Sequence, residues 1–171
     1  MENINPHIKS AINASIIAGD EIMAVYNSSD FGIQLKSDQS PLTLADERAH
    51  NAIVEALKLT GLPLLSEEGT KISYEERKKW DKFWMVDPLD GTKEFIKRNG
   101  EFTVNIALIQ NNKPVLGVIY VPVIKTVYYG LVEEQKAYKV VLQQHQFSEI
   151  QLMNASDEIF PSTRSSFIKV V

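Results

Sequence analysis

Two carboxylates, Asp87 and Asp90, lie three residues apart at the end of an apolar run that begins at Trp84. Magnesium prefers oxygen ligands in proteins, and it commonly takes one or two carboxylates while substrate phosphate and water fill its other positions. Pro88 fixes its own φ angle, so the spacing predicts a rigid turn that holds both acids. The segment has the composition that a Mg²⁺ and phosphate site requires.

Gly91 and Thr92 directly follow this acidic pair. Glycine lets the main chain approach a ligand closely, because no Cβ stands in the way. Threonine is a good N-cap, so we predict that Thr92 begins a short helix over 93–97 whose first amides face an anion. The same residue types also form ordinary turns. Taken alone, the loop leaves both interpretations open.

Further acids precede this loop. Glu67 and Glu68 follow residues 63–66, whose Pro-Leu-Leu-Ser sequence predicts a short strand ending at the two acids. Asp46 lies three residues after Thr43, which is nearly the spacing of a capping box, so it either caps a helix or faces a site. Each cluster is commonplace by itself. Three such clusters at strand ends and a helix start favour a metal site.

The composition of the 171-residue chain excludes several kinds of site. It has no cysteine, so neither a disulfide partner nor a thiolate zinc site is expected. Its three histidines, His7, His50 and His145, are scattered, and we expect surface or helix-packing roles for them. A formal net charge of −4 argues against nucleic acid as a partner, and it means that bound metal must neutralise a phosphate substrate.

Hydrophobic periodicity predicts two amphipathic helices followed by a series of strands. Short turn-like connections between the strands imply a mainly antiparallel sheet, with both helices packed on one face, in an α+β fold. No apolar run is long enough to span a bilayer, so we expect a cytoplasmic protein. The predicted helices are Pro6–Tyr26 and Thr43–Leu59, and the predicted strands are Thr103–Ile109, Val115–Val121, Thr126–Val132 and Ala137–Leu142.

Three motifs in this order resemble the magnesium-dependent, lithium-sensitive phosphatases that include inositol monophosphatase and fructose-1,6-bisphosphatase. They are Ser40-Pro41-Leu42-Thr43 with Asp46, Ser66-Glu67-Glu68, and Asp87-Pro88-Leu89-Asp90-Gly91-Thr92. Within that family, residues 93–108 look like the CysQ branch, the 3'(2'),5'-bisphosphate nucleotidases. The resemblance implies the N-terminal domain of the inositol monophosphatase/fructose-1,6-bisphosphatase-like fold, and it covers the first two-thirds of such a protein.

The resemblance also implies two or three Mg²⁺ ions. One ion would be held by Glu67, Asp87 and the backbone carbonyl of Leu89, and a second would bridge Asp87 and Asp90. Glu68 is either a further acid near the metals or a solvated side chain, and the sequence does not decide between these.

Hydrolysis of a phosphate monoester by in-line attack of water is the implied reaction. Asp46 and Thr92 would orient the water and receive its proton, and Glu67 would act with them through the metal. The implied substrate-binding residues are Glu67, Leu89, Asp90, Gly91 and Thr92. Lys93 and Arg98 either attract a second phosphate or are exposed helix charges, and we favour the second interpretation. We interpret Trp80, Phe83 and Trp84 as core and strand anchors.

A further metal-binding Asp is expected from a later Trp-Asp segment of a second domain. The pair Trp80-Asp81 precedes the main motif, so it does not match that segment. The chain ends inside the apolar strand pattern of residues 167–171. We therefore expect residues 1–171 to be an N-terminal metal- and phosphate-binding α+β domain, truncated before the second α/β domain and weakly active or inactive alone.

The substrate implied by the resemblance is a small nucleotide, adenosine 3',5'-bisphosphate, converted to AMP and phosphate in sulfur assimilation. Relatives of this branch are also found peripheral to the inner membrane. Two alternatives stay open: an inositol or sugar phosphatase of the same superfamily, and a catalytically silent metal-binding fragment. The oligomeric state is not predicted.

Overall fold

Two long helices pack on a mixed sheet in the computed structural model, which describes residues 5–28, 31–32, 34–35 and 41–142. The helices are α1 (Pro6–Tyr26), α2 (Leu44–Leu57), α3 (Tyr74–Arg77) and α4 (Thr92–Ile96), with a 3₁₀ turn at Lys58–Thr60. The strands are β1 (Gln34–Leu35), β2 (Pro41–Leu42), β3 (Leu64–Ser66), β4 (Lys82–Asp90), β5 (Thr103–Gln110), β6 (Lys113–Val121), β7 (Thr126–Leu131) and β8 (Lys136–Val141).

The helix α1 begins where its sequence provides a cap. The side chain of Asn5 accepts a hydrogen bond from the backbone N–H of His7 at 3.0 Å, and Pro6 occupies the first helical turn. Apolar residues then recur at helical spacing and lie buried against α2 and strands β5 and β6. The buried residues of α1 are Ile8, Ala11, Ile12, Ala14, Ser15, Ile16, Ala18, Gly19, Ile22 and Val25.

The main sheet has six strands in the described part of the chain, in the order β3-β4-β5-β6-β7-β8. Strand β3 runs parallel to β4, and each later pair is antiparallel. Alternate side chains of the strands are buried under the helices, as the period of two requires. Full burial of one large apolar side chain stabilises the fold by about 1.5–3 kcal/mol. The core residues of this sheet include Trp84, Val86, Val104, Ile106, Leu108, Leu116, Val118, Tyr120, Val127 and Tyr129.

The predicted α+β fold, with two helices on a mainly antiparallel sheet, is confirmed. The prediction placed the end of α2 at Leu59, but the α-helix ends at Leu57 and the chain tightens into the 3₁₀ turn before Gly61. Strand β6 begins at Lys113, two residues before the predicted Val115, so the turn between β5 and β6 is shorter than expected. Predictions for residues 143–171 lie outside the described residues.

None of the described helices combines the length and apolar character that a membrane span needs.

Candidate active site

The parallel pairing of β3 with β4 places their carboxyl ends at the same edge of the sheet. Ser66 is the register partner of Val86, and the backbone N–H of Glu67 donates to the carbonyl of Val86 at 3.1 Å. Glu67 therefore leaves β3 beside the point where Asp87 leaves the regular part of β4. The sequence predicted a strand ending at Glu67, but it gave no indication of the parallel partner.

The predicted rigid turn after Val86 is wrong, because Asp87 and Asp90 still belong to β4. Asp87 pairs with Asn105 and Asp90 pairs with Thr103, and the register shifts between these two pairs. The shift is a β-bulge, which accommodates Pro88 because proline cannot donate a ladder hydrogen bond. The bulge sets the two carboxylates at an irregular point of the sheet edge.

The carboxylate of Asp87 is largely buried. Its Oδ1 is buried and has no hydrogen-bond partner among the described residues. Burial, the negative charges of Glu67 and Asp90, and a hydrogen bond with Glu67 raise the pKa of Asp87 to about 7, against the opposing effect of a backbone hydrogen bond at Leu89. A buried acid that faces two other acids gains from a bound cation.

Asp90 is exposed and is held by a polar pair on β5. The side-chain amide of Asn105 donates to Oδ2 of Asp90 at 3.0 Å, and the hydroxyl of Thr103 donates to Oδ1 of Asn105 at 3.1 Å. Asn105 was not predicted as a site residue from the sequence. The sequence feature that could have indicated it is a polar side chain in the middle of a mainly apolar strand.

Asp46 is fully buried at the start of α2. Its Oδ2 accepts hydrogen bonds from the backbone N–H of Thr43 at 2.7 Å and from the Thr43 hydroxyl at 2.6 Å. Its Oδ1 accepts a hydrogen bond from the Thr92 hydroxyl at 3.2 Å. The capping interpretation of Asp46 is confirmed, because one oxygen completes a capping box, and the other oxygen contacts the first residue of α4.

The prediction that Thr92 is the N-cap of α4 is wrong, because Gly91 occupies that position with a φ of 95°. A Cβ on Gly91 would lie 2.8 Å from the carbonyl oxygen of Glu101, so only glycine fits there. Thr92 is then the first residue of α4, and its hydroxyl lies 3.2 Å from the carbonyl of Leu89 as well as from Asp46. The helix thus begins one residue earlier than predicted, and the Thr92 side chain reaches Asp46 from its first position.

The donor atoms at this edge are carboxylate oxygens, the ligand type that magnesium prefers. The structure brings together carboxylates from Glu67, Asp87 and Asp90, and it provides at Asp87 a buried oxygen that no described residue hydrogen-bonds. In the described part of the chain, however, no group of three or more acidic or histidine side chains is arranged to hold an ion as it stands. Bound metal would therefore require adjustment of these side chains or further ligands.

Arg98 does not face this cluster. Its guanidinium donates to the carbonyls of Tyr26 at 2.9 Å and Ser28 at 2.6 Å, and it lies 4.5 Å from the centre of the Phe31 ring. It therefore caps the C-terminal end of α1. The interpretation of Trp84 as a core anchor is confirmed, since it is fully buried and its indole N–H donates to the Thr60 hydroxyl at 2.9 Å.

Several known proteins are similar to this chain in sequence and in architecture. The 3'(2'),5'-bisphosphate nucleotidases CysQ of Salmonella typhimurium and Escherichia coli strain K12 are 56% and 53% identical over 125 residues, which cover 71% of this chain and 50% of each relative. The crystal structure of CysQ from Bacteroides thetaiotaomicron matches with a TM-score of 0.71 at 54% identity, covering 81% of this chain and 50% of that one.

More distant structures have the same fold. The extragenic suppressor protein suhB from Bartonella henselae matches with a TM-score of 0.69 at 27% identity, covering 79% of this chain and 51% of that one. The chain thus spans about half the length of the relatives that it matches. The model of the inositol monophosphatase family matches residues 3–166, nearly the whole sequence, and the chain therefore belongs to the inositol monophosphatase family.

Proposed function

We propose that this chain forms the metal- and phosphate-binding part of a Mg²⁺-dependent phosphate monoester hydrolase. The observation that carries the proposal is the carboxyl of Asp87, whose buried Oδ1 has no described protein partner and whose neighbours are Glu67 and Asp90. Without a cation, burial and the charges of the neighbouring acids raise the pKa of Asp87, so its ionised form is disfavoured. A divalent ion would neutralise all three acids.

Glu67, Asp87, Asp90 and the carbonyl of Leu89 are the residues that would hold the metal. Magnesium in such a site supplies positive charge that polarises a phosphoryl group and acidifies water. With a net charge of −4, the chain itself would repel a phosphate ester. The positive charge of the metal is therefore needed for substrate binding as well.

Asp46 and Thr92 would handle the proton of the attacking water. Thr43 donates two hydrogen bonds to Oδ2 of Asp46, and Oδ1, which accepts the hydrogen bond of the Thr92 hydroxyl, would receive the proton. The Thr92 hydroxyl can accept a proton from water while it passes its own proton to that Oδ1. The amides of Gly91 and Thr92 would hold phosphate oxygens as negative charge develops on them.

The substrate that we favour is adenosine 3',5'-bisphosphate, hydrolysed to AMP and phosphate by a cytoplasmic protein of sulfur assimilation. The identity of 53–56% with proteins named 3'(2'),5'-bisphosphate nucleotidase supports this choice over an inositol or sugar phosphatase. Residues 1–171 would be its N-terminal domain, and the second half of the relatives would complete the metal site.

Phosphate release tests this proposal. The chain alone and the chain joined to the C-terminal half of a CysQ relative are incubated with adenosine 3',5'-bisphosphate, inositol 1-phosphate or fructose 1,6-bisphosphate. We expect Mg²⁺-dependent release from the nucleotide by the joined protein, abolished by chelation, and little release by the chain alone. Equal rates for the two proteins would refute the need for a second half, and a preference for inositol or sugar phosphate would refute the substrate.

The variant Asp87→Asn separates an enzyme from a silent metal-binding fragment. In the joined protein, the enzyme proposal predicts loss of phosphate release with retention of the circular dichroism spectrum. Unchanged release in this variant would favour the silent fragment.

A further inference from the structure

His50 lies on α2 one helical turn after Asp46, so both side chains lie on the same face of that helix. The two side chains contact different parts of the site, because Asp46 contacts Thr92 and the ring of His50 contacts the end of β3. Its Nδ1 lies 2.8 Å from the hydroxyl oxygen of Ser66, the last residue of β3. The contact joins α2 to the residue directly before Glu67.

Ser66 also organises the turn that follows β3. Its hydroxyl accepts a hydrogen bond from the backbone N–H of Glu68 at 3.3 Å, and its carbonyl accepts one from the backbone N–H of Gly69 at 3.2 Å. Since a hydroxyl can accept and donate at once, the Ser66 hydroxyl can take the Glu68 N–H and give its own proton to Nδ1 of a neutral His50 ring. Glu67 is the residue enclosed by this turn.

The ring of His50 also supports the turn by packing. A Cβ built on Gly69 would lie 3.7 Å from Cε1 of His50 and 3.3 Å from the carbonyl oxygen of Ser66, so the glycine backbone rests close to both. The ring is half-buried, and this burial lowers the pKa of His50. A neutral ring keeps one nitrogen as an acceptor.

We propose that His50 is a positioning residue, which fixes through Ser66 the turn from which Glu67 reaches toward Asp87. The inference rests on the function proposed above, because it gives this turn a purpose in metal binding. In this proposal His50 acts through Ser66. Its role is to hold the backbone on both sides of Glu67 against α2.

Amide hydrogen exchange measured by NMR tests the structural part without any metal. In His50→Ala we expect exchange of the Glu68 and Gly69 amides to accelerate about fivefold, the factor that corresponds to one lost hydrogen bond. His50→Asn, whose side-chain oxygen can replace Nδ1 as acceptor, should exchange more slowly than His50→Ala. The control is His7→Ala, which removes a contact with Lys82 at the opposite end of β4 from Asp90. It should leave the exchange rates of these two amides unchanged.

Manganese titration of the same proteins tests whether the turn contributes to metal binding through Glu67. We expect His50→Ala to weaken Mn²⁺ binding about fivefold in the native background and to have no further effect in a Glu67→Gln background. Amides of β6 and β7 should keep their protection, which shows that the variants are folded.

Unchanged exchange at Glu68 and Gly69 would overturn the proposal, as would an equal loss of manganese affinity with and without Glu67. If neither the chain alone nor the chain joined to the C-terminal half of a CysQ relative binds manganese, the proposed function fails. The exchange rates then decide separately whether His50 fixes the turn.

Discussion

The hydroxyl of Thr92 donates a hydrogen bond to Oδ1 of Asp46 over 3.2 Å, although 46 positions separate the two residues in the sequence. This bond joins the N-terminal end of α2 to the start of α4. Because Thr43 occupies the other carboxylate oxygen with its N–H and its hydroxyl, Asp46 cannot turn away from Thr92 without breaking its capping box. The helix cap thereby orients the group proposed to receive the proton.

The first prediction concerns the Thr92 hydroxyl. In the protein joined to a relative's C-terminal half, Thr92→Val should lower kcat about 100-fold, because the valine keeps the shape but removes the proton path to Asp46. The matched control, Thr92→Ser, keeps the hydroxyl and should retain most of the activity. Steady-state phosphate release measures both, and comparable rates for the valine and serine variants would exclude the proposed relay.

The second prediction follows from the raised pKa of Asp87. The folded protein binds this proton more tightly than the unfolded chain, whose carboxyl has the ordinary pKa of 3.8. The stabilisation from protonation is therefore complete below pH 3.8 and is lost as the pH rises through about 7. At pH 8 without metal, the ionised carboxylate destabilises the fold by about 1–2 kcal/mol, after allowance for solvent screening.

Asp87→Asn should consequently raise Tm by a few degrees at pH 8 in the presence of chelator, and by much less at pH 4.5. Thermal unfolding followed by circular dichroism measures both values. An equal change in Tm at the two pH values would show that Asp87 is not the group responsible.

The sequence predicted elements whose cause is local. Helix α1 has the predicted bounds because Pro6 and the helical spacing of its apolar residues act within the helix itself. Strands β5 to β8 lie within two residues of the prediction, since alternation and turn residues mark them. The acids of the site were proposed because each lies in a short motif, and the three motifs occur in the order of the family that they resemble.

Other features depend on partners far along the chain. The bulge at residues 87–90 exists only against β5, and the cap of α4 falls on Gly91 because Glu101 leaves no room for a side chain there. The contact between His50 and Ser66 requires α2 to lie over the end of β3. The residues next to each of these features in the sequence do not indicate it, because its cause lies in a distant segment.

The third prediction concerns Asn105, which holds Asp90 across the strand pair. Asn105→Ala should weaken Mn²⁺ binding several-fold, because Asp90 loses the hydrogen bond that orients one of its oxygens. Gln110→Ala removes an exposed amide from the end of the same strand and serves as the control. Calorimetric titration of the two variants checks the prediction, and identical affinities would remove Asn105 from the site.

The fourth prediction separates backbone strain from crowding at glycine. Gly91 has a φ of 95° and no room for a Cβ. Gly61 has a φ of 68°, and beyond its two chain neighbours no atom of the described residues lies within 4 Å of the position that a Cβ would take. Gly61→Ala should therefore lower the free energy of unfolding by about 1 kcal/mol, through the strain of a left-handed alanine alone. Gly91→Ala should lower it by about 2–4 kcal/mol, because crowding adds to that strain. Urea unfolding measures both, and equal losses would contradict the crowding by Glu101.

The acids at the ends of β3 and β4 are proposed to hold a divalent cation, and every catalytic role above depends on that ion. Paramagnetic broadening by substoichiometric Mn²⁺ in NMR spectra tests its binding most directly, because it detects weak binding and locates the ion. We expect the amides of Glu67, Asp87 and Gly91 to broaden first, and Asp87→Asn to remove this effect. Broadening spread evenly over the surface, or unchanged in Asp87→Asn, would contradict the proposed site.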